Sequence, residues 1–418
     1  MLQWIKKGGD NMSTQTLTLK VRLYPTAEQI DDLSKVTLEY QQLCNIVSQW
    51  YFDNHFEVNR KRFNHEMYHY LRSISGINSA MVQSVYRTVE ARYKTIATLV
   101  SQHPYKYCDV NDKKWYSESR TLDWLRKPIY FSRPQADYLR NINYSFVNQA
   151  QQLSLNGMHG RIKVAFNNYY ADQLINDTTK LGTAKLVCAK KHWFLYIAVT
   201  NEIDDWNVDN NQHVVGIDRG LRQIMTIYDE CTKTKFFNGK AIAYKRHKFQ
   251  YLRKQLQAKG TKSAKRHLKQ LSQQENRWMS DVNHCLSKTL VDYYGKNTLF
   301  VMENLTNVTF ERQFGNHQQT QDLHNWAFFD LQNKLTYKAT RQSSQVVTVS
   351  AQYTSQRCPR CGQICKGNRH HDIHQYQCNY CGFTTNDDRV GAMNLYELGK
   401  QYLNGDLKPK FTKTNVTD

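Results

Sequence analysis

Two pairs of cysteines have the spacing of a metal site: CPRCG at 358–362 and CNYCG at 378–382. Two such knuckles can each supply two thiolates to a tetrahedral zinc ion, with Zn–S distances of about 2.3 Å. Because four cysteines leave no open coordination position, we expect this zinc to be structural rather than catalytic. The predicted ligands are Cys358, Cys361, Cys378 and Cys381.

Glycines and further ligand types surround these cysteines. Gly362 and Gly382 follow the second cysteine of each pair, where a positive φ lets backbone N–H groups point at sulfur. One alternative stays open, a ligand set in which another side chain of the loop replaces a cysteine. Its candidates are Cys365, His370, His371 and His374. The scattered cysteines are expected to be reduced core or surface thiols: Cys44, Cys108, Cys188, Cys231, Cys285 and Cys365.

Acidic residues suggest a second metal site. Asp218 ends the apolar run VVGID, and Glu303 ends the apolar run TLFVME. A third acid, Asp387 or Asp388, opens a short helix in NDDRVGAMNL, where an ordinary N-cap is the alternative. Phosphodiester hydrolysis requires charge to be stabilised on the attacking and leaving oxygens, and clustered carboxylates can hold two Mg²⁺ ions that do so. The acids therefore predict a magnesium-dependent nuclease site.

Small residues lie beside the acids. Gly216 removes bulk from the strand VVGID, so that another element can approach its backbone. Gly391 and Ala392 let the last helix pack closely on a sheet, and we expect Gly399 to end that helix.

The elements around the acids follow an informative order. VVGIDRG, RQIMTIYD and TKFFNG read as three strands, followed by a long helical stretch at 242–295 that is rich in lysine and arginine. TLFVMEN is a buried strand, 327–341 a helix, and QVVTVSA another strand. This order predicts a mixed α/β fold with an RNase H-like core.

The first half of the chain is organised differently. TLTLKVRLYP (16–25) alternates as a strand does, and a helix follows it with a predicted stripe of Ile30, Leu33, Val36, Leu38, Leu43 and Ile46. Helical periodicity continues through 63–100, basic and aromatic residues interleave over 105–145, and strands return at 160–200. The polar segment 204–213 is the best linker candidate, so we place the main domain boundary there.

The net charge of +21 over 418 residues points to a polyanionic partner, most commonly nucleic acid. No stretch reaches the roughly 18 apolar residues of a membrane helix, and no signal peptide is recognisable. Ten cysteines in a chain without a signal peptide argue against disulfides, so we predict a cytosolic protein. Met12, which is followed by STQTLTLKVRLYPT, is a more natural start than Met1. Residues 1–11 are therefore interpreted as an upstream extension.

The motifs, taken in order, resemble the TnpB/OrfB proteins encoded by bacterial insertion sequences, which are similar to compact type V CRISPR effectors. The resemblance covers about 210–400, more weakly the opening KVRLYPTAEQ, and only loosely 50–200. The motifs that carry it are VVGIDRG, VMENL, YKA (337–339), TSQRCPRCG, CNYCG and NDDRVGAMNL.

The resemblance implies a RuvC-type triad of Asp, Glu and Asp, which falls on Asp218, Glu303 and Asp388. The last family motif usually reads D-x-N-A-A-x-N, and DRVGAMN aligns with it. Val390 and Gly391 depart from that pattern, and Asp387 stays the alternative third acid.

The resemblance also implies a domain plan. A wedge-like, β-barrel-like domain (12–27 and 125–205) would carry a helical recognition domain (28–124). A RuvC-like domain (206–355 and 386–402) would carry the zinc ribbon (356–385), and 403–418 would form a tail. The implied partners are a guide RNA from the element's own end and DNA, both double-stranded and single-stranded, cut beside a short adjacent motif.

Three alternatives to an active RNA-guided endonuclease stay open. A nuclease-inactive, RNA-guided DNA-binding regulator would be expected to have lost one of the acids, yet this chain keeps all three. A strand-transfer transposase is disfavoured because the His-hydrophobe-His segment of tyrosine transposases is missing from the sequence. A guide-free, resolvase-like nuclease would leave the basic first half without a role.

Overall fold

The computed structural model describes residues 12–147, 152–167, 179–206, 213–220, 222–229, 231, 233–305, 328–370 and 372–412. They form two compact units, whose main segments are Thr14–Glu202 and Ile203–Asp418. The predicted extension at 1–11 lies outside the described residues. Within them, every helix is too short or too polar to cross a membrane.

The first unit joins a helical layer to a seven-stranded sheet. Its helices are α1 (Ala27–Asp53), α2 (Arg60–Glu66), α3 (Tyr68–Ser73) and α4 (Ser79–Ser101). Its strands are β1 (Met12–Tyr24), β2 (Tyr105–Cys108), β3 (Trp115–Glu118), β4 (Gln135–Tyr138), β5 (Tyr144–Val147), β6 (Gln152–Asn156), β7 (Arg161–Phe166), β8 (Lys180–Ala189) and β9 (His192–Asp204). The sheet order is β4-β8-β9-β1-β7-β6-β5, while β2 and β3 form a separate hairpin. Barrel-like closure and the wedge assignment stay predictions.

Helix α1 begins at a capping box. The Thr26 hydroxyl accepts from the Gln29 N–H, and the Gln29 side chain accepts from the Thr26 N–H. Leu33, Val36 and Leu43 are buried as predicted, whereas Ile30 and Leu38 are exposed. The buried stripe uses Tyr40 instead, which keeps the three- to four-residue spacing that Leu38 breaks.

Two other helical predictions are refined. The periodicity over 63–100 belongs to three helices rather than one, and Asn78 begins the last of them by accepting a backbone N–H with its side chain. The stretch 242–295 likewise divides after Lys259, where Gly260 has a φ of 61° and Thr261 caps the following helix.

The second unit is built on a five-stranded sheet. Its strands are β10 (His213–Asp218), β11 (Gln223–Asp229), β12 (Thr234–Asn238), β13 (Thr298–Glu303) and β14 (Gln345–Val349). Its helices are α5 (Lys240–Lys259), α6 (Lys262–Tyr294), α7 (Phe328–Thr340) and α8 (Asp387–Leu403). The order is β12-β11-β10-β13-β14, with β11 antiparallel and β13 parallel to β10. The predicted mixed sheet of RNase H-like order is therefore confirmed.

Alternate residues of β10 face opposite sides of this sheet. Val215 and Ile217 join a core with residues of α6 and α7. Val214 joins the opposite core, to which α8 contributes Leu395 and Leu398. The sheet is covered on both faces, which is why β10 reads as an almost continuous apolar run.

Helix α8 lies unusually close to the sheet. A Cβ on Gly216 would lie 2.1 Å from the Ala392 carbonyl oxygen, and one on Gly399 would lie 2.6 Å from the Val301 side chain. The expected approach at Gly216 is thus present. The expected helix end at Gly399 is wrong, because α8 continues to Leu403 and uses Gly399 for close packing.

We predict that Gly216→Ala destabilises the second unit by roughly 3 kcal/mol or more, at or above the usual cost of overpacking. The added Cβ would meet backbone atoms, which cannot move aside as a flexible side chain can. Thermal unfolding measures the effect. Gly367→Ala is the control, because its Cβ would meet nothing closer than 3.8 Å; equal melting temperatures for the two variants would contradict the close packing.

Candidate metal centres

The four predicted cysteine ligands form one cluster. Their sulfur atoms all lie within 4.8 Å of one another. The Cys358 and Cys381 sulfurs are 3.6 Å apart, and so are those of Cys361 and Cys378. A tetrahedral zinc with bonds of about 2.3 Å requires sulfur–sulfur distances of about 3.8 Å, so the donor set fits zinc. The cysteine cluster supports the predicted zinc ribbon.

The knuckle backbone stabilises thiolate. Gly362 and Gly382 have φ values of 79° and 70°, as their positions predicted. Burial alone raises the pKa of Cys378, but hydrogen bonds from backbone N–H groups of Cys381 and Tyr380 outweigh it and lower that pKa to about 7. In Cys358 burial prevails and raises the pKa to about 12. A divalent cation would offset the cost of ionising these buried thiols.

The ribbon sheet leads directly into α8. Its strands are β15 (Arg369–His370), β16 (Gln375–Gln377) and β17 (Thr384–Asn386), and α8 begins at the next residue. The Asn386 side chain caps α8 by accepting from the N–H groups of Asp388 and Arg389. Neither aspartate is therefore the N-cap, the alternative left open by the sequence.

Asp387 holds the ribbon against α8. It is 2% exposed, and its carboxylate lies 3.1 Å from Nε of Arg369 and 3.7 Å from Nδ1 of His374. Asp388 is more exposed and lies 3.6 Å from Arg369. The two neighbouring acids thus have different surroundings, and the charge of Asp388 is among the causes that raise the pKa of Asp218.

The acids predicted at strand ends meet at one edge. Because β10 and β13 are parallel and Ile217 pairs with Met302, the next residues, Asp218 and Glu303, end neighbouring strands at the same edge. A Cβ on Gly391 of α8 would lie 2.6 Å from a carboxylate oxygen of Asp218. Gly391, a departure from the family motif, therefore leaves room for that carboxylate.

Burial, and then repulsion among the acids, sets the electrostatics of this edge. Burial raises the pKa of Asp218 well above its ordinary value, and the charges of Glu303 and Asp388 raise it further. Burial also raises the pKa of Glu303, against a hydrogen bond donated by the Thr354 hydroxyl at 2.5 Å. Such a set of carboxylates favours a cation, since the cation removes the repulsion.

The carboxylates are more loosely spaced than the thiols. In the part of the chain that the structure describes, the cysteine group alone has three or more ligand atoms all within 4.8 Å of one another. A pair of Mg²⁺ ions spans about 3.5–4 Å by itself, so its ligands need not form so small a cluster.

Several supporting residues carried no sequence signal. Arg219 is 7% exposed and donates to the backbone carbonyls of Glu303 and Phe328, joining the ends of β10 and β13 to the start of α7. Burial lowers its pKa to about 10, against the charges of Glu303 and Asp218. Only its position directly after a strand-end acid could have marked it.

A second supporting group involves Thr354 and Asn394. The fully buried Asn394 of α8 donates to the backbone carbonyls of Thr354 and Arg357, at 2.7 and 2.8 Å. This contact fixes the segment whose Thr354 hydroxyl binds Glu303. Val390, the other departure from the family motif, is buried in the ribbon core with Cys358, Tyr376 and Cys378.

Two family models match the chain. Residues 197–308 match the OrfB_IS605 family, described as "Probable transposase". Residues 328–395 match the TNB domain of Cas12f1-like proteins.

Curated relatives agree with these matches. The CRISPR-associated endodeoxyribonuclease Cas12f1 of Sulfoacidibacillus thermotolerans is 30% identical over 67% of this chain and 69% of its own length. The "Putative RNA-guided DNA endonuclease InsQ" of Escherichia coli K12 is 25% identical, over 58% of this chain and 62% of InsQ. A TnpB-like protein of Methanocaldococcus jannaschii is 30% identical over 46% of this chain and 70% of that protein.

Solved structures resemble the chain in fold. A Cas12f1 chain from a complex with single-guide RNA and target DNA matches with a TM-score of 0.59 and 12% identity, covering 93% of this chain and 99% of that one. The mini-RNA-guided endonuclease Cas-phi3 matches with a TM-score of 0.52 and 9% identity, covering 92% of both chains. At these identities the likeness shows the fold alone.

We predict that the purified wild-type protein contains zinc and that Cys378→Ser loses most of it, because a serine hydroxyl is a poor substitute for a thiolate ligand. Metal content by mass spectrometry is the measurement. Cys365→Ser is the matched control, since Cys365 lies in the same ribbon outside the cysteine cluster. Equal zinc loss in both variants would argue against the assigned ligands.

Proposed function

Since the chain belongs to the TnpB/OrfB family, together with its Cas12f1-like relatives, we propose that it is a transposon-encoded, RNA-guided DNA endonuclease. The observation that carries this proposal is the meeting of Asp218 and Glu303 at one sheet edge, with Asp388 close enough to act on the charge of Asp218. Two parallel strands and the helix after the ribbon supply one acid each.

We assign this edge as a RuvC-like active site that holds Mg²⁺ through Asp218, Glu303 and Asp388. Bound Mg²⁺ would stabilise charge on the attacking and leaving oxygens of a phosphodiester. The protein's own contribution is to hold the carboxylates in place. Gly391 makes room for Asp218, and Thr354 orients Glu303.

The domain plan is proposed on the same basis. The first unit would comprise the wedge-like domain (12–27 and 125–205) and the recognition domain (28–124). The second would comprise the RuvC-like domain (206–355 and 386–402), the ribbon (356–385) and the tail (403–418). Phe411 of this tail is buried in the core beneath α8, so the tail is anchored to the second unit.

The proposed partners are a guide RNA and DNA in both duplex and opened form. The net charge of +21 supports polyanion binding, and the names of InsQ and of the Cas12f1 complex support the two partner types. The second candidate is a nuclease-inactive RNA-guided DNA-binding protein. It is favoured by Val390 and Gly391, which depart from the last motif of the family. Both departures have a packing role, however, and the three acids are retained.

We predict that the protein purified from cells carrying its native flanking DNA contains a discrete RNA and cuts plasmid matching that RNA when Mg²⁺ is present. Sequencing of the bound RNA and plasmid cleavage are the measurements. Bound RNA without cleavage would leave the DNA-binding alternative. A protein free of RNA would refute both guided functions.

Asp218→Ala and Glu303→Ala should each lower the cleavage rate more than about 100-fold, because even partners outside the first ligand shell typically contribute 10- to 100-fold. DNA binding, measured by mobility shift, should stay near the wild-type level, since the duplex is held mainly through its phosphates. Cleavage at the wild-type rate by either variant would refute the assigned site.

Asp388→Asn and Asp387→Asn form a matched pair that identifies the third acid. We expect Asp388→Asn to abolish cleavage without lowering the melting temperature. Asp387→Asn should leave cleavage within a fewfold of wild type but lower the stability of the second unit by roughly 1–3 kcal/mol, because it weakens a buried charged hydrogen bond. The reverse pattern would make Asp387 the ligand.

A further inference from the structure

The hairpin of β2 and β3 carries an aromatic surface that no core uses. All eight of its strand residues are exposed. Tyr105, Tyr107 and Tyr116 are 48%, 39% and 43% exposed, and Trp124 from the following turn is 41% exposed. Large aromatic side chains grouped on a surface generally mark a binding site.

These four rings lie on one face of the hairpin and contact one another. Tyr107 pairs directly with Tyr116 across the strands, and their ring centroids are 5.8 Å apart at 28°. Tyr105 lies two residues from Tyr107 on the same strand, with centroids 5.7 Å apart at 24°. Trp124 lies 5.6 Å from Tyr105. We call this row of four rings the aromatic ladder.

Basic side chains lie at both ends of the aromatic ladder. Lys113 and Lys114 are exposed in the turn of the hairpin, beyond Tyr107 and Tyr116, and no ion pair with an acid of the described residues engages their side chains. At the other end, the guanidinium of Arg120 lies 5.7 Å from the centroid of the Trp124 ring. Among the nearby acids, Glu118 pairs with Tyr105 across the strands, whereas Asp109 and Asp112 bond within the turn. Asp112 accepts from the Tyr116 hydroxyl and the Lys114 N–H, and Asp109 accepts from the Asn111 N–H.

We propose that the aromatic ladder binds an unpaired segment of RNA by stacking bases on its rings, while the nearby lysines contact the phosphates. Stacking on aromatic side chains and a basic rim are the usual means of holding single strands, because every base has a π-face. The inference rests on the proposed function, which supplies the RNA.

RNA is favoured over the other polyanions that the protein would meet. RNA recognition acts mainly on loops and single strands whose bases are free to stack on aromatic residues. A DNA duplex reaches the protein with its base faces covered, and a DNA strand is opened only after a guide RNA is already bound. An apolar protein partner would not require the unpaired lysines that border the ladder.

Binding to a labelled oligouridylate, measured by fluorescence anisotropy with the full chain freed of nucleic acid, tests the proposal. Tyr105→Leu/Tyr107→Leu should weaken binding about 10- to 100-fold, because leucine keeps apolar packing but removes two stacking surfaces. Tyr105→Phe/Tyr107→Phe should stay within about twofold of wild type. Tyr70→Leu, at an exposed tyrosine of α3, is the control and should also have little effect.

Ultraviolet cross-linking of the protein purified with its cellular RNA identifies the source of the bound strand. We expect ribonucleotide adducts on the peptide containing the aromatic ladder before any DNA is added. Adducts that form only after target DNA is added would assign the ladder to DNA and overturn the proposal. Unchanged oligouridylate binding by the leucine variant would overturn it as well. A leucine variant that changes only the oligomeric state, and not RNA binding, would also overturn it.

Different results would refute the proposed function and the role of the aromatic ladder. If the wild-type protein contains no RNA, the proposed guided function fails. The oligouridylate measurement still decides the proposal for the aromatic ladder, because it requires neither a guide nor cleavage.

Discussion

The close approach of α8 to β10 is the contact on which the candidate active site depends. Gly216 leaves so little space that any side chain would meet the backbone of Ala392 and Tyr396. This approach brings the first turn of α8, with Asp388, to the sheet edge where Asp218 and Glu303 end their strands. A helix held further from the sheet by ordinary side chains would separate Asp388 from the other two acids.

The zinc ribbon has a direct part in that arrangement. Its last strand runs without a break into α8, and Asp387 pairs with Arg369 and His374 of the ribbon. The direction in which α8 begins is therefore fixed by a module that a closed metal site stabilises. Arg369 also lies 3.6 Å from Asp388 and lowers the pKa of Asp218, so the ribbon supplies positive charge to an edge crowded with carboxylates.

Sequence patterns predicted those features that depend on local spacing. The CxxC pairs, the apolar runs that end in acids and the order of elements lead to the cysteine cluster and the mixed sheet, both confirmed. The catalytic role of Asp218, Glu303 and Asp388 stays a prediction. Helical periodicity was a weaker guide where two neighbouring residues could both belong to the buried stripe. On α1 it pointed to Leu38, which is exposed, whereas Tyr40 is buried.

Contacts between distant segments could not be read from the sequence. Thr354 supports Glu303, and Asn394 supports Thr354, yet none of the three lies near the others in the chain. Their types are also common in positions without function. The same limit explains Gly399: a glycine near the end of a helix is typical of a helix stop, whereas here it allows close packing on Val301 of a distant strand.

Arg219 shows how the buried edge tolerates its charges. A buried guanidinium beside two carboxylates offsets part of their repulsion, and its hydrogen bonds to the carbonyls of Glu303 and Phe328 keep it fixed. Those side-chain bonds go to backbone carbonyls, so the guanidinium offsets the charge of Asp218 and Glu303 without bonding to their carboxylates, while the backbone N–H of Arg219 bonds to Asp218. A direct salt bridge from the guanidinium would compete with any metal ion for the carboxylate oxygens, and a guanidinium bonded to backbone carbonyls does not.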